Sequence, residues 1–236
     1  MLTWVDSEDP FPPVSTALHT PNGLLAAGRS LTVPQLRRAY QQGIFPWFSP
    51  GDPVLWWSPD PRMVLFSEEI RITRSLVKTL RRIRREQRWT VAFDQDFEGV
   101  IQACSEPRPG QQGTWITPKI RAAYTGLHRQ GEAHSVEIRE SGTLIGGLYG
   151  VSMGRMFFGE SMFSRRSDAS KCALVVLVST LRPLGFEMID CQQETAHLAS
   201  MGGREIARPQ FLASLQTLMA QPGPDWSTLR PEFPDL

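Results

Sequence analysis

The sequence predicts an α+β protein, and three observations carry that reading. Amphipathic helical stretches fill much of residues 75–130, three strand-like runs follow one another between 135 and 159, and a helix and a further strand occupy 169–191. Helices, then an antiparallel meander, then one helix and one strand do not alternate as βαβα repeats do. At 236 residues the chain holds one large domain, or a medium domain with a small companion.

The elements follow in order. The first twenty residues are Pro-rich and irregular. Leu31 to Gln42 reads as a helix, with Thr32 as N-cap, Pro34 in the first turn and Gly43 ending it. Residues 44–62 carry Pro46, Pro50, Pro53, Pro59 and Pro61 among aromatics, which predicts a rigid loop with at most short strands. Residues 75–87 place Leu76, Leu80 and Ile83 on one helical face, with arginines around the rest. Trp89–Phe93 reads as a strand, and Phe97–Cys104 as a helix capped from Asp94–Asp96. Thr117-Pro118 opens a helix that stops at Gly131. The meander is Ser135–Glu140, Leu144–Val151 and Arg155–Gly159, turned at Ser141-Gly142 and Ser152-Met153-Gly154. A helix over 169–181, a strand Glu187–Cys191 and a helix from Pro209 to Met219 complete the set. The expected division is a small N-terminal module, 1–60, and a larger domain, 61–236.

Charge is unevenly spread. Residues 71–88 hold eight basic side chains and one acid, Glu86, a local charge of +7 in a chain whose net charge is +1. Nearly all are arginines, whose planar forks match phosphate oxygens in two-point contacts. No apolar run approaches eighteen residues, so no membrane span is expected. Met1 to Asp6 lacks the basic start and apolar core of a secretory signal, so a cytoplasmic protein is expected. Cys104, Cys172 and Cys191 are scattered, which suits a reducing compartment and makes neither a disulfide framework nor a zinc site. There is no P-loop and no metal-ligand spacing, so no cofactor and no metal is expected.

Two polar strand ends flank the 169–181 helix. Glu160 and Ser161 follow the apolar run Met156-Phe157-Phe158, and Asp190 and Gln192 end the next strand. Residues i and i+2 of a strand share a side, so Asp190 and Gln192 are expected to emerge together. A carboxylate beside an amide can orient an amine and take its proton. A carboxylate such as Glu160 in a crevice can hold an ammonium group or a basic side chain. Leu148, Phe157, Met162, Leu177 and Ile189 read by themselves as core.

Several segments together resemble the leucyl/phenylalanyl-tRNA–protein transferase family. They are Pro21-Asn22-Gly23-Leu24-Leu25-Ala26, Gly43-Ile44-Phe45-Pro46-Trp47-Phe48, Trp56-Trp57-Ser58-Pro59-Asp60-Pro61-Arg62 and Gly113-Thr114-Trp115-Ile116-Thr117. His134-Ser135-Val136-Glu137, Gly146-Gly147-Leu148-Tyr149-Gly150, Gly159-Glu160-Ser161-Met162-Phe163-Ser164, Met188-Ile189-Asp190-Cys191-Gln192 and His197-Leu198-Ala199-Ser200 continue in family order. Where many members read Gly-Asp-Leu after Gly28, this chain reads Arg29-Ser30-Leu31; this departure is expected to alter a local turn and leave activity intact.

The resemblance implies an acetyltransferase-like (GNAT) fold; a monomer is expected. It also implies an aminoacyltransferase that moves Leu or Phe, with Met a further candidate, from Leu-tRNA or Phe-tRNA to proteins beginning with Lys or Arg. It places Asp190, Gln192 and Glu160 at the reaction centre, with Ser161 beside them. It makes Leu148, Phe157, Met162, Leu177 and Ile189 the pocket for the donor side chain, and sets Trp47 and Trp115 beside the 3′-terminal adenosine. Members often carry Met at Leu148 and Phe at Leu177, departures that bear on donor preference. Phosphates of the acceptor stem are expected on Arg74, Lys78, Arg81, Arg82, Arg84 and Arg85. Aminoacyl transfer to a small or cell-wall amine, acyl transfer from acetyl-coenzyme A, and an RNA-binding module without catalysis are the alternatives. No complete pyrophosphate loop of the coenzyme-A enzymes is present; Ser164 to Lys171 stands in its place.

Overall fold

The computed structural model describes residues 2–107 and 114–236. In chain order the elements are β1 (Thr3–Trp4), β2 (Leu24–Gly28), α1 (Val33–Tyr40), β3 (Phe45–Pro46), β4 (Val54–Trp57), β5 (Arg62–Phe66), α2 (Arg74–Glu86), β6 (Trp89–Phe93), α3 (Phe97–Ser105) and α4 (Pro118–Arg129). They continue with β7 (Ala133–Glu140), β8 (Thr143–Met153), β9 (Met156–Ser164), α5 (Ala169–Leu181), β10 (Met188–Gln192), α6 (Ala196–Ser200), β11 (Arg204–Ile206) and α7 (Arg208–Met219). The fold is α+β. Among the described residues the strands form a four-stranded sheet, β1-β2-β4-β3, and a seven-stranded sheet, β11-β5-β10-β9-β8-β7-β6.

Helix starts follow local chemistry. The hydroxyls of Thr32, Thr73 and Thr117 each accept a backbone N–H in the first turns of α1, α2 and α4, and the Asp96 carboxylate does so for α3. Leu76, Leu80 and Ile83 of α2 are buried, as their spacing demands. Strands β1, β2, β5 and β11 and the short helix α6 are the elements that the sequence reading lacks. Strand β5 follows Pro59 and Pro61 and is buried on both faces, so its Arg-Met-Val-Leu-Phe shows no alternation to read.

The seven-stranded sheet separates two apolar layers. Val64, Tyr149, Phe158 and Met188 join α1, α3, α4, α7 and the smaller sheet on one face. Their neighbours Leu65, Leu148, Phe157 and Ile189 join α2 and α5 on the other. Successive residues thus point to opposite layers, as pleating requires. Within this sheet β9 and β10 run parallel, and their pairing is limited to Phe157 with Ile189 and Phe158 with Asp190.

Strand β9 runs to Ser164, five residues past its expected end at Gly159. Glu160 and Ser161 therefore lie within a strand and not in a loop after one. The ladder with β8 shifts there: Gly159 faces Gly150, but Ser161 faces Tyr149, which leaves Glu160 as the extra residue of a bulge. The bulge inverts the alternation. Phe158 faces the α1–α4 layer, yet Met162, four residues on, packs with Phe157 against the α5 layer. Close approach explains the glycines opposite. A Cβ on Gly150 would stand 2.2 Å from the Phe158 carbonyl, and one on Gly146 would stand 2.4 Å from the Ala169 Cβ.

Among the described residues no helix is long and apolar enough to cross a membrane. Gly150→Ala should destabilise the protein by about 1–3 kcal/mol, the usual cost of overpacking. A melting curve that falls by several degrees agrees with this close packing, and an unchanged curve contradicts it.

Candidate active site

Asp190 sits where the β9–β10 ladder ends, and it is fully buried. Its carboxylate is engaged. Arg62 Nε donates to Oδ1 at 2.8 Å and Arg62 Nη2 donates to Oδ2 at 2.6 Å. The guanidinium is itself 1% exposed, donates from Nη1 to the Gly43 carbonyl at 3.1 Å, and lies between the rings of Phe45 and Phe211, at 4.7 and 4.6 Å. A two-point pair under two aromatic faces is a strong, directional clamp. Arg62 opens β5, directly after the Pro-rich run. Its spacing to Asp190 carries no signal, so sequence reasoning did not assign it a role.

Gln192 follows a second irregularity. The β10–β5 register shifts between Asp190 and Gln192, and Gln192 adopts the left-handed backbone, φ 65°. A non-glycine residue there carries strain and needs support. The support is the Gln192 N–H, which donates to Asp190 Oδ1 at 2.9 Å. The i, i+2 pattern is thus bent by a bulge. Asp190 is turned to Arg62, and Gln192 reaches across to β9, where its Nε2 donates to Glu160 Oε1 at 2.8 Å.

Glu160 is the centre of a phenol cluster. Tyr40 Oη of α1 donates to Glu160 Oε1 at 2.6 Å, Tyr124 Oη of α4 donates to Oε2 at 2.9 Å, and the two phenol oxygens are 2.5 Å apart. Burial, and next the Glu160 charge, push both phenols well above their usual pKa, so both keep their protons at neutral pH. Two phenol protons cannot fill three oxygen–oxygen contacts. A protonated carboxyl would complete the ring only by donating to one phenol, which then donates to the other phenol in place of the carboxyl, because each hydroxyl donates only once. Burial also drives the Glu160 carboxyl up to about 7, opposed by the hydrogen bonds from Tyr40 and Tyr124 and assisted by the charge of Asp190. The residue nevertheless keeps some accessible surface. Tyr40 and Tyr124, too, had no assigned role in the sequence; each only falls within an expected helix.

The other candidates sort by layer. Leu148, Phe157, Leu177 and Ile189 are buried together beside α5, and Met162 packs against them. Leu148 pairs with Met162, and Phe157 pairs with Ile189. The structure therefore gathers all five pocket candidates. Ser161 is half-buried opposite Tyr149. Trp47 is exposed, packs edge-on against Trp57 at 5.5 Å, and offers its carbonyl to Trp57 Nε1 at 2.7 Å. Trp115 borders the opposite, α1–α4 layer. Gly113 of the Gly113 to Thr117 segment lies outside the described residues. Arg74, Lys78, Arg81, Arg82, Arg84 and Arg85 are all exposed along α2. Arg84 pairs with Asp235 at 3.1 Å, and Arg81 donates to the Leu236 carbonyl. Among the described residues no group of three or more His, Cys, Asp or Glu side chains is placed to hold a metal ion.

A family model described as leucyl/phenylalanyl-tRNA protein transferase matches residues 64–216, and the model of that family's N-terminal domain matches residues 29–60. The chain is 56% identical over 230 residues to the leucyl/phenylalanyl-tRNA–protein transferase of Burkholderia vietnamiensis strain G4, covering 96% of this chain and 91% of that one. The chain belongs to the leucyl/phenylalanyl-tRNA–protein transferase family. It is an enzyme of the transferase class. The counterpart from Burkholderia pseudomallei strain 668 is also 56% identical, covering 96% of this chain and 90% of that one. Among solved structures, L-PGS from Bacillus licheniformis aligns with a TM-score of 0.40 at 9% identity, covering 73% of this chain and 54% of that one.

The Glu160 ionisation has a signed consequence for stability. Its carboxyl is raised from 4.5 to about 7 in the fold, so its contribution is fully present below pH 4.5 and is lost as pH rises through 7. Glu160→Gln, which cannot ionise, should gain stability relative to the unsubstituted protein between pH 5 and pH 8. Thermal melts at the two pH values check this; a constant difference contradicts it.

Proposed function

We propose that this transferase moves Leu or Phe, with Met as a further donor residue, from aminoacyl-tRNA to the α-amine of proteins beginning with Lys or Arg. The product carries a bulky N-terminal residue and feeds N-end-rule degradation in the cytoplasm. The observation that carries the reading is the Gln192–Glu160 hydrogen bond across the place where β9 and β10 part. It sets an acid of near-neutral pKa near the apolar layer of Leu148, Phe157, Met162, Leu177 and Ile189, which in this reading receives the Leu or Phe side chain.

In this reading the donor spans the sheet. Its adenosine lies against Trp47 and Trp115, where stacking contributes roughly 1–3 kcal/mol per ring. Its side chain occupies the Leu148, Phe157, Met162, Leu177 and Ile189 layer. Acceptor-stem phosphates meet the exposed face of α2, which packs on that same side of the sheet. Ionised Glu160 holds the acceptor's basic residue, with Ser161 at its side. The α-amine attacks the ester carbonyl; a C–N bond forms and the bond to the 3′-oxygen breaks, with the amine's proton passing to the leaving oxygen. Gln192 orients the amine or steadies the oxyanion, and Asp190 acts through it. The ester is already activated, so the reaction needs neither ATP nor a cofactor.

The fold reading is an acetyltransferase-like (GNAT) domain over 61–236 with a module over 1–60, acting as a monomer. The parallel β9–β10 pair inside an otherwise antiparallel large sheet supports it.

The test is transfer of labelled Leu from Leu-tRNA to a peptide beginning with Arg. Transfer should occur, fail with a peptide beginning with Ala, and fall at least 10²-fold in Asp190→Ala, as for loss of a positioned group. Transfer that ignores the first residue of the peptide contradicts the acceptor rule. The rate should rise between pH 6 and 8 as Glu160 and the amine lose protons, and Glu160→Gln should remove the part of the rise centred near 7 and raise the KM of the peptide. A Glu160→Gln profile that matches the unsubstituted enzyme contradicts that role.

Replacing Arg81, Arg82 and Arg85 with Gln should weaken tRNA binding and reduce its salt slope by about 0.7–0.9 per charge that meets a phosphate. An unchanged slope removes α2 from the interface.

A further inference from the structure

We propose that Arg62 is a positioning residue for the transfer reaction, acting through Asp190 to hold the Gln192 amide in the site. The proposal rests on the functional reading above and adds a residue to it.

The chain of contacts is continuous. Arg62 clamps both oxygens of Asp190, Asp190 Oδ1 also accepts the Gln192 N–H, and the Gln192 side chain donates to Glu160. Each link fixes the next. The Asp190 carboxylate could rotate about its own side-chain bonds, but the planar guanidinium admits one orientation. That orientation aims Oδ1 at the N–H of a residue held in the left-handed region, where the backbone would otherwise relax. Relaxation at Gln192 would swing its amide away from Glu160.

The other contacts of Arg62 belong to the rest of the fold. Gly43 and Phe45 come from the segment after α1, and Phe211 comes from α7. Tyr40, at the end of α1, touches Glu160 directly. The N-terminal segment therefore holds both sides of the site, Glu160 through Tyr40 and Gln192 through Arg62. Asp190 has its two oxygens committed within the protein, so its part in the chemistry is to transmit this geometry. Arg62 touches no reacting atom and is a positioning residue.

Arg62→Lys tests this, because Lys keeps the charge and loses the fork. Steady-state transfer is measured against Leu-tRNA and an Arg-starting peptide, with the folded fraction set by melting and by the stoichiometry of tRNA binding. The expected result is a kcat lower by on the order of 10²-fold with both KM values within about threefold of the starting enzyme, since substrate contacts are untouched. A purely structural role would reduce the folded fraction and leave kcat per folded molecule unchanged, and that result overturns the proposal. An equal rise in KM overturns it too.

If Arg62→Lys does not fold, Phe211→Leu serves instead. It removes one of the two rings that hold the guanidinium plane, so the fork against Asp190 loosens while the charge stays. A kcat lowered several-fold at constant KM supports the proposal, and an unchanged kcat overturns it. Failure of the unsubstituted enzyme to transfer Leu at all would refute the functional reading; transfer at full kcat by Arg62→Lys would refute only the role of Arg62.

Discussion

Arg62 and Asp190 are 1% and 0% exposed, and neither charge could be buried alone. Removing one partner of such a pair costs about 3–5 kcal/mol, because the remaining charge is left without water or counter-ion. The pair therefore constrains its surroundings more tightly than apolar packing does. Apolar side chains accept small shifts, whereas a two-point ion pair at 2.8 and 2.6 Å accepts one geometry. Strand β10, the opening of β5, the segment after α1 and the start of α7 are all referred to it.

Two bulges turn that constraint into a site. An unbroken sheet would send alternate residues of β9 and β10 to separate layers and put Met162 on the layer opposite Phe157. The bulge at Glu160 lets Phe157 and Met162 share a layer while Glu160 faces the phenols of Tyr40 and Tyr124. The shift after Asp190 lets Gln192 cross to Glu160. Bulges of this kind re-aim side chains beside active sites. Here they bring the apolar layer of Phe157 and Met162 and a hydrogen-bonded acid to the same end of one parallel strand pair.

Much of this was legible in the sequence, and the parts that were not share a cause. Helix α2 could be read because Leu76, Leu80 and Ile83 repeat at helical spacing, and α1, α3 and α4 because Thr32, Asp96 and Thr117 are local caps. Asp190, Gln192 and Glu160 could be singled out as polar residues ending apolar runs. Their partners could not. Arg62 lies 128 residues from Asp190, and Tyr40 lies 120 from Glu160. Such contacts exist only once the chain has folded, and no local pattern encodes them. The end of β9 was misplaced for a related reason: a bulge breaks the alternation by which strands are recognised, so Glu160 looked like the start of a loop. Strand β5 was hidden by burial on both faces and by the prolines before it.

In the proposed chain of contacts Arg62 influences the reaction through Gln192. This link is tested most directly by a double-mutant cycle on the single-turnover rate of Leu transfer, with Arg62→Lys, Gln192→Ala and the two combined. If Arg62 works by holding the Gln192 amide, the combined variant loses no more than the worse of the two single variants, because the second change removes what the first had already disabled. Losses that multiply would show two independent contributions and contradict the account.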